Sequence, residues 1–332
     1  MAPKISIVLP TFNGETHIAK AIHSILAQTL RDWELIIVND ASSDRTGTIA
    51  EEFASEDSRI TVLHHRENRK LPAALNTGFH NARGCYWTWT SDDNTYEPEA
   101  LRRMSDYLDS HENVVMVCAD CHHIREDGKQ TVRFAVRTEA ADLICGDSCG
   151  ACFLYRAETA RHVGDYDSSK FLVEDWDYWL RMGLLGKIDA IHEVLYRYLY
   201  HANSLTARFQ TEIRRRSCLL KAEYMPQYLK QYPEIGRNVS CMRNYYPAVL
   251  FLNQEKTQFN RIMSSLPVRM QLYFCHWRFR ETGDRSYLRK LASLGIRGFL
   301  RACALFVLGP LPQETEAPRI SDENDDSSTF RK

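Results

Sequence analysis

The chain of 332 residues predicts an α/β fold: a mainly parallel sheet flanked by helices, then a mostly helical, basic extension. Three observations carry this expectation. Short apolar runs alternate with amphipathic segments over the first 120 residues. Longer, mixed runs follow, and beyond residue 207 the strand pattern stops and the charge balance reverses. Strands separated by helices imply right-handed crossovers and parallel pairing.

In order, Ile5–Leu9, Glu34–Val38, Ile60–His64, Cys85–Trp89 and Val114–Cys118 read as strands. Ile18, Ile22, Ile25 and Leu26 recur at helical spacing and make one apolar stripe. Ala73, Ala74, Leu75 and Phe79 do the same after Pro72, a residue suited to a helix start. Further strands are expected at 133–137, 152–156 and 188–200. Between the last two, "LVEDWDYWLRMGLLG" reads as a helix on which Trp176, Trp179, Leu180 and Leu184 share a face. After residue 207 the helical pattern is broken by Pro226, Pro233, Pro247 and Pro267. The expected organisation is therefore a sheet domain over 1–207, a basic helical subdomain over 208–312 and a disordered polar tail over 313–332.

A hydrophobic fraction of 44 % and a charged fraction of 26 % allow a substantial core and exclude global disorder. The net charge of -1 conceals a split, with residues 1–207 net acidic and residues 208–301 strongly basic. Such polarity points to a partner or surface for the basic part: an anionic membrane, an anionic acceptor or another subunit. "FLRACALFVLGPL", near the end of that part, could dip into a membrane interface. No recognised nucleic-acid-binding module is present, and none is expected as a function. The opening residues turn polar quickly and no stretch reaches ~18 apolar residues, so neither a secretory signal nor a spanning helix is expected. Ten cysteines then read as reduced thiols in a cytoplasmic setting. Two CxxC pairs, Cys118/Cys121 and Cys149/Cys152, admit a zinc reading. Residues three apart on a strand face opposite ways, so buried thiols are the default.

In a parallel sheet, ligands bind beyond the carboxyl ends of the strands. There stand Pro10-Thr11-Phe12-Asn13-Gly14, Asn39-Asp40 and Thr90-Ser91-Asp92-Asp93-Asn94. No GxGxxG follows the first strand and no GxxxxGK[ST] occurs, which removes the main support for dinucleotide and P-loop sites. Paired acids at a strand end suit a divalent ion that shares its shell with phosphate oxygens, yet the same pair also suits a solvated turn. Glu174 and Asp175 carry two readings as well: a general base reaching an incoming hydroxyl, or acids favouring a helix N-terminus.

Taken together, "SIVLPTFNGETHIAKAIHSILAQTLRDWELIIVNDASSDRT", "ENRKLPAALNTGFHNARGCYWTWTSDDNTYEPEAL" and "GDYDSSKFLVEDWDYWLRMG" resemble the family 2 inverting glycosyltransferases of the GT-A fold, of the bacterial cell-envelope polysaccharide type. The resemblance spans most of residues 4–207 and leaves the C-terminal third uncovered. It implies a nucleotide-sugar donor, UDP-linked, and a glycan or lipid-linked acceptor. It implies that Pro10, Thr11, Asn13 and Asp40 hold the nucleotide, with Asn68, Arg69 and Lys70 near the base or diphosphate. Asp92 matches the last acid of the family's DxD motif and would bind Mg2+ or Mn2+, with Thr90 in place of the first acid. Asp93 would lie beside the donor sugar. Asp175 would be the general base, with Glu174 and Trp176 as acceptor or base-supporting residues. His201 resembles a late histidine that approaches the metal, although a surface histidine fits it equally. The implied location is cytoplasmic, peripheral to the inner face of the membrane. The alternatives are a nucleotidyltransferase acting on sugar phosphates and a non-enzymatic polyanion- or membrane-binding protein.

Overall fold

The computed structural model of the chain describes residues 2–237. One nine-stranded sheet organises them, in the order β3-β2-β1-β4-β8-β6-β9-β5, with β7 paired to β6. The strands are β1 (Ile5–Thr11), β2 (Trp33–Asn39), β3 (Ile60–His64), β4 (Tyr86–Trp89), β5 (Thr95–Tyr96), β6 (Val114–Arg125), β7 (Gln130–Phe134), β8 (Phe153–Arg156) and β9 (Lys187–Tyr200). The helices are α1 (Ile18–Leu26), α2 (Thr46–Glu56), α3 (Lys70–Phe79), α4 (Ala100–Ser110), α5 (Ala140–Cys145), α6 (Ala157–Val163), α7 (Glu174–Leu185), α8 (Leu205–Arg208) and α9 (Gln210–Gln231).

The first four sheet positions are parallel, each strand pair being linked by a helix. β8 runs antiparallel to both β4 and β6, and β9 runs parallel to β6. This arrangement sets the position of the site. The carboxyl ends of β1, β2, β4 and β9 and the amino end of β8 all lie at one rim of the sheet.

Strand alternation sorts side chains into two cores. Ile5, Ile7, Leu9, Leu35 and Ile37 pack on one side, with α1 and α4. Val8, Ile36 and Val38 pack on the other, with α3, α6 and α7. Helix α3 lies so close to β1 that a Cβ on Gly78 would sit 2.4 Å from Val8 Cγ1, which is why glycine stands there. The same alternation separates the cysteines. Cys118 and Cys149 belong to the α7 side and Cys121 and Cys152 to the α1 side, so the four sulfurs cannot converge on one ion. All four are free buried thiols.

Two sequence expectations shift. The strand expected at 133–137 lies at Gln130–Phe134, because the turn at Gly128 (φ 77°) folds β7 directly back on β6. Pro226 does not break the helix: α9 runs through it. Proline costs one ladder hydrogen bond, and the burial of Leu220, Tyr224, Met225 and Tyr228 around it holds the helix in place. Tyr224 donates its hydroxyl to Asp177 at 2.8 Å and Tyr228 donates to the Leu180 carbonyl at 3.0 Å. These side chains join the α7 core. In the basic stretch after residue 207, Arg216 is bonded to Glu212 and to the carbonyls of Ser169 and Phe171, and Arg215 to Glu212. Trp277, Arg278, Phe279, Arg280, residues 299–312 and the tail 313–332 lie outside the described residues. Among the described residues, no helix is long and apolar enough to cross a membrane.

Candidate active site

A cleft of about 720 Å³ opens at the rim where those strand ends meet. Its floor begins at the β1–α1 loop. Asn13 adopts φ 54°, and its side-chain carbonyl accepts the backbone N–H of Ser43 at 2.9 Å, tying this loop to the one after β2. Gly14 follows, where a Cβ would lie 2.1 Å from Asp92 Oδ2. Only glycine lets the loop pass this close to the acid. Thr11 donates its hydroxyl to the same Asp92 oxygen.

Asp40, at the end of β2, is 4 % exposed and fully engaged. Its two oxygens accept the backbone N–H groups of Arg69 and Lys70, both at 2.9 Å, and Oδ1 also meets His65 Nδ1 at 2.6 Å. This acid therefore anchors the start of α3, where Lys70 sits at φ 72°. Asn68 and Lys70 line the cleft; the Arg69 side chain does not. Asn68 Oδ1 is buried without a partner.

Asp92 and Asp93 follow β4. Burial, with the charge of Asp93 next to it, pushes the Asp92 carboxyl up to about 7, against the opposing hydrogen bond from Thr11. Asp93 Oδ2 lies 2.9 Å from His201 Nε2, and its Oδ1 is buried with no partner. His201 reaches this point because β9, parallel to β6 and so running in the same direction as β4, ends at the same rim; His17, after β1, lies beside it with ring centroids 5.4 Å apart. Thr90 turns inward instead. It is 2 % exposed, with its hydroxyl 2.5 Å from that of Tyr196, so it does not stand in for an acid in the cleft.

Asp92, Asp93 and His201 provide oxygen and nitrogen donors, one carboxylate oxygen lacking any partner. Among the described residues, no group of three or more such side chains forms a closed cage. The donor set fits a hard divalent cation that takes one or two protein ligands and fills its shell with phosphate and water.

Helix α7 opens with Glu174 and Asp175, both lining the cleft. Burial raises the Asp175 carboxyl, partly offset by the Trp176 N–H that donates to it at 2.6 Å. Burial and then the Asp175 charge push Glu174 up to about 8, and Glu174 Oε2 has no partner. Trp176 points away from the cleft. Its indole N–H donates to the Leu143 carbonyl at 2.7 Å and the residue is 3 % exposed, so its side chain can support Asp175 only through packing, while its backbone N–H bonds the acid directly.

Sequence reasoning missed Asp147, His17, Tyr198 and Tyr200, all of which line the cleft. Asp147 precedes an antiparallel strand, whose amino end shares the rim with the carboxyl ends of its parallel neighbours. A search restricted to carboxyl ends passes over it. A polar residue just before a strand that follows a short helix was the available signal.

Comparison with known proteins agrees with this geometry. The family described as "Glycosyl transferase family 2" matches residues 6–164. An uncharacterized glycosyltransferase of Rickettsia prowazekii is 30 % identical over 216 residues, which are 62 % of this chain and 66 % of that one. The chain thus spans just under two thirds of the length of this relative. Among solved structures, TarS of S. aureus in complex with UDP-GlcNAc superposes with a TM-score of 0.59 at 15 % identity, covering 86 % of this chain and 89 % of that one. The mannosyltransferase PcManGT from Pyrobaculum calidifontis, in complex with GDP-Man and Mn2+, gives 0.56 at 13 %, covering 93 % and 88 %. With the sequence match and the shared sheet architecture together, residues 6–164 form a family 2 glycosyltransferase domain of the GT-A fold.

Proposed function

We propose that the protein transfers a sugar, with inversion, from a nucleoside diphosphate donor to a hydroxyl of a glycan or lipid-linked acceptor. The observation that carries this reading is that two acid pairs from distant parts of the chain, Asp92–Asp93 after β4 and Glu174–Asp175 at the start of α7, line one cleft. The cleft, about 720 Å³, has room for a reacting sugar beside them.

On the donor side, Thr11, Asn13 and Asn68 offer hydrogen-bonding groups to the nucleotide, on loops that Asp40 and the 2.8 Å bond from the Gly14 N–H to Thr46 hold in place. Lys70 places a cation at the same end, suited to the diphosphate. Asp92, with Asp93 and His201 behind it, would hold Mg2+ or Mn2+, which when bound would offset the negative charge gathering on the leaving diphosphate. Asp93 faces the sugar, and His201 keeps its carboxylate oriented. Asp175 takes the proton from the acceptor hydroxyl as that oxygen bonds to the anomeric carbon and the carbon–diphosphate bond breaks. Its raised proton affinity favours this transfer near neutral pH. One displacement from the face opposite the leaving group inverts the carbon.

A UDP-sugar is the donor we favour, supported by the sequence resemblance and by the UDP-GlcNAc bound to TarS. The basic stretch after residue 207 is assigned to an anionic membrane or acceptor, on its charge alone. This would place the enzyme at the inner face of the cytoplasmic membrane, in polysaccharide synthesis.

Calorimetric titration with UDP-GlcNAc, UDP-glucose and GDP-mannose tests the reading, first with Mg2+, then Mn2+, then chelator. Binding of one donor that weakens on chelation is expected. Folded protein that binds none of them would refute it.

A further inference from the structure

The acceptor wall carries more acid than the proposed reaction uses. Among the described residues lining the cleft, Asp40, Asp92, Asp93, Asp147, Glu174 and Asp175 face only two permanent cations, Lys70 and Arg208. Asp40 is held by protein donors, and the Asp92–Asp93 pair faces the donor phosphates and their cation. That leaves Asp147 and Glu174 beside the base, Asp175, and neither of them forms an ion pair with any described residue.

Asp147 is firmly held. The helix α5 ends at Cys145, and the chain then runs extended through Gly146 (φ -177°). Next to Asp147, the Ser148 hydroxyl donates to the Arg137 carbonyl at 2.6 Å and the Arg137 N–H returns a bond at 3.0 Å. Cys149 and Cys152 are both fully buried and anchor the segment from the far side. Asp147 alone in this stretch is left exposed, facing the cleft. Desolvation between the cleft walls and then the Asp175 charge raise its carboxyl, while the N–H groups of Cys149 and Gly150 oppose the rise. An occupant that displaces water from Asp147 must supply a hydrogen-bonding group in its place.

The second observation is independent of this one. Glu174 is 4 % exposed, lines the same wall, and keeps Oε2 without a partner. A buried polar atom left unpaired costs free energy unless a ligand completes it.

Resting on the transferase reading, we propose that Asp147 is a specificity residue of the acceptor half of the cleft. With Glu174 it admits an attacking saccharide unit whose groups donate hydrogen bonds and carry no negative charge, and it rejects units bearing a carboxylate or phosphate. A uronic acid or sugar phosphate here would bring a further negative charge into a group of acids, Asp147, Glu174 and Asp175, that has no ion-pair partner among the described residues. Hydroxyl groups would instead satisfy Asp147 and the idle Glu174 oxygen.

Ligand-observed NMR on the full chain, loaded with UDP and Mg2+, tests this with methyl β-glucoside and methyl β-glucuronide as probes. The wild-type protein should bind the glucoside about tenfold more tightly or better, the ratio set by one like-charge contact. In Asp147→Asn and Asp147→Ser the ratio should fall several-fold toward parity, chiefly by gain of glucuronide binding. Equal binding of the two by wild type, an unchanged ratio in both variants, or binding of neither probe would overturn the proposal. Calorimetric binding of the donor, measured on the same samples, separates these results from failure of the transferase reading. Loss of donor binding strikes at that reading, whereas intact donor binding with an unchanged ratio strikes only at Asp147.

Discussion

Asp92 offers a test of the site that needs neither substrate nor acceptor. Its carboxyl titrates at about 7 in the fold, chiefly through burial, and at 3.8 when free. Between those values the folded protein holds a proton that the unfolded chain has released, so stability falls as pH rises through this window and levels off above it. Three units at 1.4 kcal/mol each put the full cost at about 4 kcal/mol, of which about 2–3 kcal/mol develops between pH 5 and pH 8. Asp92→Asn removes the charge but keeps an oxygen to accept the Thr11 hydroxyl. Urea unfolding, followed by tryptophan fluorescence with chelator at pH 5, 6, 7 and 8, should therefore show the variant gaining on wild type by that amount as pH rises. A divalent cation should restore part of the difference at pH 8 by stabilising wild type alone. Parallel pH profiles for the two proteins would refute the reasoning, because Asp92 would then ionise in the fold as readily as in water.

Three further outcomes are expected. Asp175→Asn should lower turnover by about 10²–10⁴-fold with donor affinity by calorimetry largely retained; full activity would remove it as the base. Gly14→Ala places a Cβ 2.1 Å from Asp92 Oδ2, so Asp92 must move, and donor affinity should fall about tenfold or more; unchanged affinity would show that Asp92 does not meet the donor. Tyr224→Phe removes the buried hydroxyl bonded to Asp177 and should cost about 1–2 kcal/mol in urea unfolding with no change in donor binding; a neutral result would mean that α9 adds nothing to the stability of α7.

Local pattern carried much of the fold. The β1 to β4 and β6 strands, the apolar face of α1 and the helix starting at Glu174 follow from periodicity, because period 2 and period 3.6 each expose one face to the core. Asp40, Asp92 and Asp175 were legible too, as acids at element ends where a core has no use for charge. The two-residue strand β5 carries no periodicity and exists only through its pairing with β9. Pro226 reads as a break, yet four buried neighbours override it. Trp176 adjoins Asp175 in sequence but faces away from it, because consecutive helical side chains diverge by about 100°. Asp147 and His201 show the same limit most clearly. Which residues share a rim depends on whether each strand runs up or down the sheet, a choice made by pairing between segments many tens of residues apart. Residue order sets the elements and their buried faces; strand direction, decided only in the assembled sheet, sets which of their ends meet to form a site.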